Sequence, residues 1–223
     1  MASRHDKAAR IDSVYVLTDA AIGAADALER FAEAVIRGGA TVVQYRDKGQ
    51  DAARRRREAE AVLRACRRGQ ALCIINDDVE LAATIGADGV HLGRDDDSLS
   101  AARERLGSSA VIGVSCYDDL TRAQAVAAQG ADYVAFGAFY PSTTKPDARR
   151  AEPELLRAAR GVLAVPCVAI GGIDADNAAP LIAAGADAVA VVGAVVHARD
   201  PVAATHAIAR AVADARRAGN SNY

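Results

Sequence analysis

Gly185-Ala-Asp-Ala-Val-Ala-Val-Val-Gly193 is the stretch that decides the fold. A Gly-Ala pair leads into a short, continuously apolar run, and glycine returns where the run ends. The same opening recurs as Gly39-Ala40-Thr41, Gly86-Ala87-Asp88 and Gly130-Ala131-Asp132, at intervals of 47, 44 and 55 residues. Each interval has room for two strand-and-helix units. Each glycine suits the left-handed cap that ends a helix, and the residues after it turn into a strand. Four such double units give eight strands and eight helices.

Outward from the repeat, the strand candidates are Val14–Thr18, Thr41–Arg46, Leu72–Asn76, Gly89–Leu92, Val111–Ser115, Tyr133–Gly137, Pro166–Ile170 and Ala188–Val192. Several are apolar throughout, as a parallel sheet covered on both faces requires. Between them, residues such as Leu28, Phe31, Ala32, Val35 and Ile36 recur at helical spacing and form one apolar stripe. The predicted fold is α/β: a single-domain (β/α)8 TIM barrel over residues 12–217, near the small end of that fold's size range. Residues 1–11 and 218–223 show no apolar pattern and are expected to be frayed. A doubly wound open sheet is the structural alternative. It calls for edge strands less apolar than the central ones, and the sequence has no such gradient.

Composition narrows the function. Of 223 residues, 51% are hydrophobic and 25% charged, the balance of an ordinary globular chain. Aromatics make up 4%, Trp is absent and the formal net charge is -2, leaving little for base stacking and no basic field, so nucleic acid is not an expected partner. Met1 to Arg10 hold no apolar leader core, and no later run approaches the ~20 apolar residues of a bilayer span. A cytoplasmic protein with no membrane partner is therefore expected. Cys66, Cys73, Cys116 and Cys167 are scattered without a C-x-x-C pair, which reads as reduced, buried thiols. Arg54 to Arg57 are consecutive, so they fan around a helix and read as a solvated face.

In such a barrel, chemistry gathers at the C-terminal ends of the strands. The second strand ends Val43-Gln44-Tyr45-Arg46-Asp47-Lys48, bringing an amide and two cations to the rim. The third ends Ile75-Asn76-Asp77-Asp78, the fourth His91-Leu92-Gly93-Arg94-Asp95-Asp96 and the fifth at Ser115. Asp and Asn after strands also serve as helix caps. Two acidic clusters on neighbouring strand ends fit a hard divalent cation as well, since Mg2+ is held by one or two carboxylates plus substrate phosphates. Asp77 and Asp96 are the candidate metal ligands, and Arg46 and Lys48 the candidate phosphate ligands. His91 reads equally as a satisfied interior histidine or a substrate contact.

The sixth strand runs into Gly137-Ala-Phe-Tyr-Pro-Ser-Thr-Thr-Lys-Pro-Asp147, a polar loop suited to closing over an anion or serving as a linker. Strands seven and eight end in Ile170-Gly171-Gly172-Ile173 and Val192-Gly193-Ala194, where backbone N–H groups can approach an oxyanion. Two phosphate-handling regions on one rim imply two phosphorylated small-molecule substrates joined across the barrel mouth. A homo-oligomer is compatible with this reading.

On these residues the sequence resembles the thiamine phosphate synthase (thiamine-phosphate pyrophosphorylase) family over nearly the whole chain, from Val14-Tyr-Val-Leu-Thr-Asp19 to Ala194. The most specific parts are Gln44-Tyr-Arg-Asp-Lys48, Asn76-Asp77, Gly89-Val-His-Leu-Gly93 with Asp96, Pro141-Ser-Thr-Thr-Lys145 and Ile170-Gly-Gly-Ile173. The resemblance implies a transferase of thiamine biosynthesis. It would condense 4-amino-2-methyl-5-(diphosphooxymethyl)pyrimidine with a thiazole phosphate, with Mg2+ assisting a dissociative loss of pyrophosphate. It further implies that Gln44, Tyr45, Arg46, Asp47, Lys48, Asn76, Ser115 and Lys145 form the pyrimidine diphosphate site, with Arg46, Lys48, Ser115 and Lys145 as its catalytic groups. Ser142, Thr143, Thr144, Gly171, Gly172, Val192 and Gly193 would hold the thiazole phosphate, and Asp77 and Asp96 the metal.

Four positions depart from the commoner family pattern: Arg94 stands for Gln, Tyr117 for His, Ser142 for Thr and Gly193 for Ser. Ser142 keeps a hydroxyl. Gly193 loses one, so only its backbone remains for the thiazole phosphate. Arg94 adds a cation, which either points outward or reinforces pyrophosphate binding. Two other functions compete. A thiazole tautomerase-like isomerase of the same fold has no need of both the acidic pair and the Arg46, Lys48 and Lys145 set. A non-catalytic phosphate-binding barrel would explain the glycine loops but not the carboxylates at the strand ends.

Overall fold

The computed structural model describes residues 3–93, 98–141 and 150–220. Eight parallel strands close into a barrel in sequence order: β1 (Val14–Leu17), β2 (Ala40–Tyr45), β3 (Leu72–Asn76), β4 (Gly89–Leu92), β5 (Val111–Tyr117), β6 (Tyr133–Gly137), β7 (Cys167–Ile170) and β8 (Ala188–Val191). β8 pairs with β1 through Val14↔Val189 and Val16↔Val191, so no sheet edge is left open. The helices are α1 (Arg4–Ala8), α2 (Ala25–Arg37), α3 (Ala52–Gly69), α4 (Val79–Ile85), α5 (Leu99–Leu106), α6 (Leu120–Ala128), α7 (Pro153–Arg160), α8 (Ala178–Ala184), α9 (Gly193–Val196) and α10 (Pro201–Asn220). The barrel is the α/β architecture the repeat predicts, and the open-sheet alternative is excluded by its closure. No described helix is long and apolar enough to cross a membrane.

Strand alternation divides the buried side chains into two cores. Tyr15, Val42, Ile74, Val111, Tyr133 and Val168 fill the barrel. Val16, Val43, Phe31, Val62, Leu156 and Leu181 belong to the layer where strands and helices meet. Each fully buried side chain of this size contributes about 1.5–3 kcal/mol. The strands lack polar alternation because both of their faces are dry. All four cysteines are free and buried.

The Gly-Ala-Asp repeat has a mechanical role at the lower end of the barrel. Its glycines Gly39, Gly86, Gly130 and Gly185 all have positive φ, where the chain turns from helix to strand. The aspartates then clamp the start of the preceding strand. Asp88 accepts from the Cys73 N–H at 3.0 Å, Asp132 from the Ile112 N–H at 2.8 Å and Asp187 from the Cys167 N–H at 2.8 Å. In return, the backbone N–H of each Asp donates to the carbonyl of that same residue: Asp88 to Cys73, Asp132 to Ile112 and Asp187 to Cys167. Thr41 occupies the corresponding place at the start of β2, and its hydroxyl is buried without a hydrogen-bond partner among the described residues.

Ahead of the barrel start expected at residue 12, the chain forms the short helix α1. Ser3 and Asp6 form a reciprocal capping box that starts α1. Lys7 pairs with Asp88 at 2.9 Å and Arg4 with Asp132 at 3.6 Å, while Ile11 is 1% exposed and joins the barrel interior. This segment closes the lower end through two ion pairs and one apolar plug, contacts that carry no periodic signal in so short a helix. At the other terminus, α10 continues through Asn220.

Candidate active site

The upper ends of the strands surround a cavity of about 890 Å³. Its floor is largely apolar, with Leu17, Ala135, Val168, Ile170 and Ala190. Gln44, Arg46, Asn76, His91 and Ser115 line one side; Gly171, Gly172, Val192 and Gly193 line another.

Alternation along β2 sorts the Gln44-to-Lys48 motif. Gln44 and Arg46 face the cavity, whereas Tyr45 turns to the helix layer and donates its hydroxyl hydrogen to Glu58 at 2.7 Å. Asp47 is held by Arg54 through two hydrogen bonds of 2.8 and 3.0 Å, and this guanidinium holds its carboxyl below the usual range. Arg54 also reaches Glu58 at 3.1 Å. Tyr45 and Asp47 therefore do not line the cavity. With Arg54 and Glu58 they anchor the turn that presents Arg46 and Lys48. Of Arg54 to Arg57, expected as a solvated face, Arg56 and Arg57 are exposed, whereas Arg54 supplies this anchor and Arg55 adds a 2.9 Å ion pair to Asp78.

The Arg46 N–H donates to Thr18 Oγ1 at 2.9 Å, fixing the backbone as the chain leaves the strand. Its guanidinium has no carboxylate partner among the described residues, so a half-buried cation is presented to the cavity. Lys48 lies outside the lining and pairs with Asp77 at 2.8 Å. Asp77 has a φ of 63°, and its N–H donates to the His91 carbonyl at 2.9 Å, joining the ends of β3 and β4.

Inside the mouth, four buried side chains connect to Ser115. Gln44 Nε2 donates to Tyr15 Oη at 2.7 Å, and Tyr15 Oη lies 2.8 Å from Tyr133 Oη. His91 Nδ1 is 3.0 Å from Tyr133 Oη, and its Nε2 is 2.8 Å from Ser115 Oγ. Burial pushes the imidazole down to about 4, against the opposing influence of Asp77. His91 is consequently neutral near pH 7. It is satisfied within the barrel, as the first of its two readings from sequence has it, and it forms part of the cavity wall.

The glycine pair after β7 is sterically required. A Cβ on Gly171 would meet Ala138 Cβ at 2.4 Å, and one on Gly172 would meet the Pro141 carbonyl oxygen at 2.3 Å. Gly193 differs, because the nearest atom to its Cβ position is His197 Cδ2 at 3.6 Å. Asp96, Ser142, Thr143, Thr144 and Lys145, with Arg94, lie outside the described residues. Among the described residues, no group of three or more His, Cys, Asp or Glu side chains is placed to hold a metal.

Sequence reasoning missed Tyr15, Tyr133, Asp174 and His197, all of which line the cavity. In a chain with few aromatics, a tyrosine within an apolar strand run signals a hydroxyl that needs a buried partner. Tyr15 and Tyr133 each provide that signal.

The family model described as thiamine monophosphate synthase matches residues 14–195. A thiamine-phosphate synthase from Halorhodospira halophila is 58% identical over 177 residues, covering 79% of this chain and 85% of the relative. The relative of that name from Chromobacterium violaceum is 52% identical over 200 residues, 90% of this chain and 96% of its own. Among solved structures, thiamine phosphate pyrophosphorylase from Pyrococcus furiosus superposes with a TM-score of 0.84 at 31% identity, covering 93% of this chain and 98% of that one. Sequence and fold thus converge: the chain belongs to the thiamine monophosphate synthase family, transferases of thiamine biosynthesis.

Proposed function

We propose that this protein condenses 4-amino-2-methyl-5-(diphosphooxymethyl)pyrimidine with a thiazole phosphate, giving thiamine phosphate and pyrophosphate by dissociative substitution. The observation that carries the reading is Arg46, a cation without a carboxylate partner among the described residues, set across an apolar floor from the Gly171-Gly172 and Val192-Gly193 turns. One wall suits a diphosphate and the other a single phosphate. The floor between them suits two flat rings.

The carbon–oxygen bond to the diphosphate breaks first, and its electron pair leaves with pyrophosphate. The thiazole nitrogen then gives its lone pair to the pyrimidine methylene carbon, so the substitution needs no protein nucleophile. It does need charge stabilisation on the leaving oxygens, which Arg46, Lys48, Ser115 and Lys145 supply. Gln44 and Asn76 orient the pyrimidine diphosphate. Ser142, Thr143, Thr144, Gly171, Gly172, Val192 and Gly193 hold the thiazole phosphate.

The donor set fits a hard cation. Asp77 contributes a carboxylate at the end of β3, and Asp96 follows the adjacent β4. When bound there, Mg2+ would supply Lewis-acid neutralisation of the pyrophosphate oxygens. Purified protein incubated with both substrates and Mg2+ should release thiamine phosphate and pyrophosphate in equal amounts, and a chelator should abolish turnover. Absence of product with both substrates bound would overturn the synthase reading in favour of an isomerase or a binding barrel.

A further inference from the structure

The buried side chains that join Gln44 to Ser115 contain more information than their contacts alone. Gln44 is 2% exposed, Tyr15 2%, Tyr133 0% and His91 9%. Gln44 Oε1 is buried with no hydrogen-bond partner among the described residues, although Gln44 lines the cavity. At the other end, Ser115 Oγ is hydrogen-bonded to His91 Nε2.

Each tyrosine has one hydroxyl hydrogen, a neutral histidine one ring hydrogen and a serine one hydroxyl hydrogen. When Gln44 Nε2 donates to Tyr15, the Tyr15 hydrogen goes to Tyr133 and the Tyr133 hydrogen to His91 Nδ1. The ring hydrogen of His91 must then be on Nε2, where it goes to Ser115 Oγ. Ser115 keeps its own hydrogen for another acceptor, while Gln44 keeps a carbonyl oxygen for another donor. The reverse direction consumes the Ser115 hydrogen on His91 and leaves Tyr15 accepting from both Gln44 and Tyr133, with no partner in the chain for its own hydrogen unless the Gln44 amide is flipped.

We propose that Tyr15 and Tyr133 are positioning residues that make this a one-way chain, fixing His91 as the Nε2–H tautomer and coupling an acceptor at Gln44 to a donor at Ser115. The inference rests on the proposed synthase reading for its choice of direction. A diphosphate oxygen can only accept and so needs the Ser115 hydrogen, whereas the pyrimidine 4-amino group offers hydrogens to Gln44 Oε1. Only the direction that ends on the Ser115 hydrogen serves both ends of that substrate. The tyrosines touch no reacting atom in this account. They set which polar atoms the cavity presents.

The test combines tautomer and kinetics. In full-length protein with 15N-labelled histidine, assigned by loss of signal in His91→Asn, long-range proton–nitrogen correlation should show His91 protonated at Nε2. An Nδ1–H tautomer in the wild type would overturn the proposal. Tyr133→Phe keeps the ring and cuts the chain. It should release His91 into a mixture of tautomers and lower kcat by about 10-fold, less than the ~10²–10³ lost with a whole oxyanion donor. KM for the thiazole phosphate should stay constant. Tyr15→Phe should retain the His91 tautomer but raise KM for the pyrimidine diphosphate by several-fold. Wild-type kcat and KM in both folded variants would also overturn the proposal. If the wild type makes no thiamine phosphate, the synthase reading fails, and the His91 tautomer still decides the chain's direction.

Discussion

Gly113 on β5 lies directly beneath the ring of Tyr133 on β6: a Cβ built on Gly113 would fall 1.9 Å from Tyr133 Cζ and 2.4 Å from its hydroxyl oxygen. The missing side chain on one strand is the space occupied by the aromatic ring of the next. Replacing a strand glycine with alanine ordinarily gains about 0.4–1 kcal/mol through the unfolded chain. Here overpacking costs about 1–3 kcal/mol and reverses the sign. Gly113→Ala should lower the melting temperature by several degrees and displace the Tyr133 hydroxyl from His91. Calorimetry and the His91 nitrogen spectrum read the two effects separately.

Lys48 and Asp77 neutralise one another across 2.8 Å, although the proposed roles are phosphate binding for one and metal binding for the other. Metal entry at Asp77 therefore competes with the ammonium. The Lys48 side chain is 66% exposed, so the pair is worth only about 0.2–1 kcal/mol. Lys48→Met should raise affinity for Mg2+ alone by up to about 5-fold while lowering turnover by ~10²–10³. Titration calorimetry without substrate gives the first number and a pyrophosphate-release assay the second. An unchanged metal affinity would remove Asp77 from the ligand set.

The barrel was legible because its strands are covered on both faces and its Gly-Ala-Asp steps repeat. Apolar runs and helix-ending glycines both register in one dimension. Dryness on both faces also hides direction: Tyr15 and Val16 look alike in an apolar run, yet one lies in the barrel interior and the other in the helix layer. Tyr45 and Asp47 read as site residues because they are contiguous with Gln44 and Arg46. Alternation in a strand separates neighbours, and applying it to this motif would have assigned Tyr45 to the helix layer. The Asp47–Arg54–Glu58–Tyr45 cluster needed tertiary information, since it joins a strand end to a helix that begins after a turn. The α1 segment was invisible for another reason. Its fixing contacts are single residues, Lys7 to Asp88 and Ile11 to the interior, instead of a repeating face.

Asp132 serves the lower end of the barrel, remote from the cavity. Its carboxylate accepts from the Ile112 N–H at 2.8 Å and from Arg103 at 2.6 Å, and it is 7% exposed. Removing it leaves a buried strand N–H without a partner and weakens the hold on a partly buried guanidinium. Charged hydrogen bonds of this kind are worth about 1.5–3 kcal/mol. Asp132→Ala should reduce stability by that amount, measured by urea unfolding, while kcat and KM of the folded fraction remain at wild-type values. A selective loss of activity would show that the two ends of the barrel are coupled.

Gly193 is the departure from the family pattern that the structure allows to be reversed. Gly171 and Gly172 have positive φ and no room for a Cβ, but Gly193 has neither constraint: its Cβ position is 3.6 Å from the nearest atom, in His197. Gly193→Ser should therefore fold with a stability change within about 0.5 kcal/mol, the range of substitutions that touch nothing critical. If the Val192-Gly193 turn holds the thiazole phosphate, the added hydroxyl gives one more hydrogen bond. At about 0.5–1.5 kcal/mol this lowers KM for the thiazole phosphate by roughly 2- to 10-fold. KM for the pyrimidine diphosphate should not move, because that substrate is proposed to occupy the opposite wall. Gly172→Ala provides the contrast, since its Cβ would run into the Pro141 carbonyl, and steady-state kinetics on the two variants should diverge in sign. A Gly193→Ser enzyme with unaltered affinity for the thiazole phosphate would move the phosphate site away from the β8 turn.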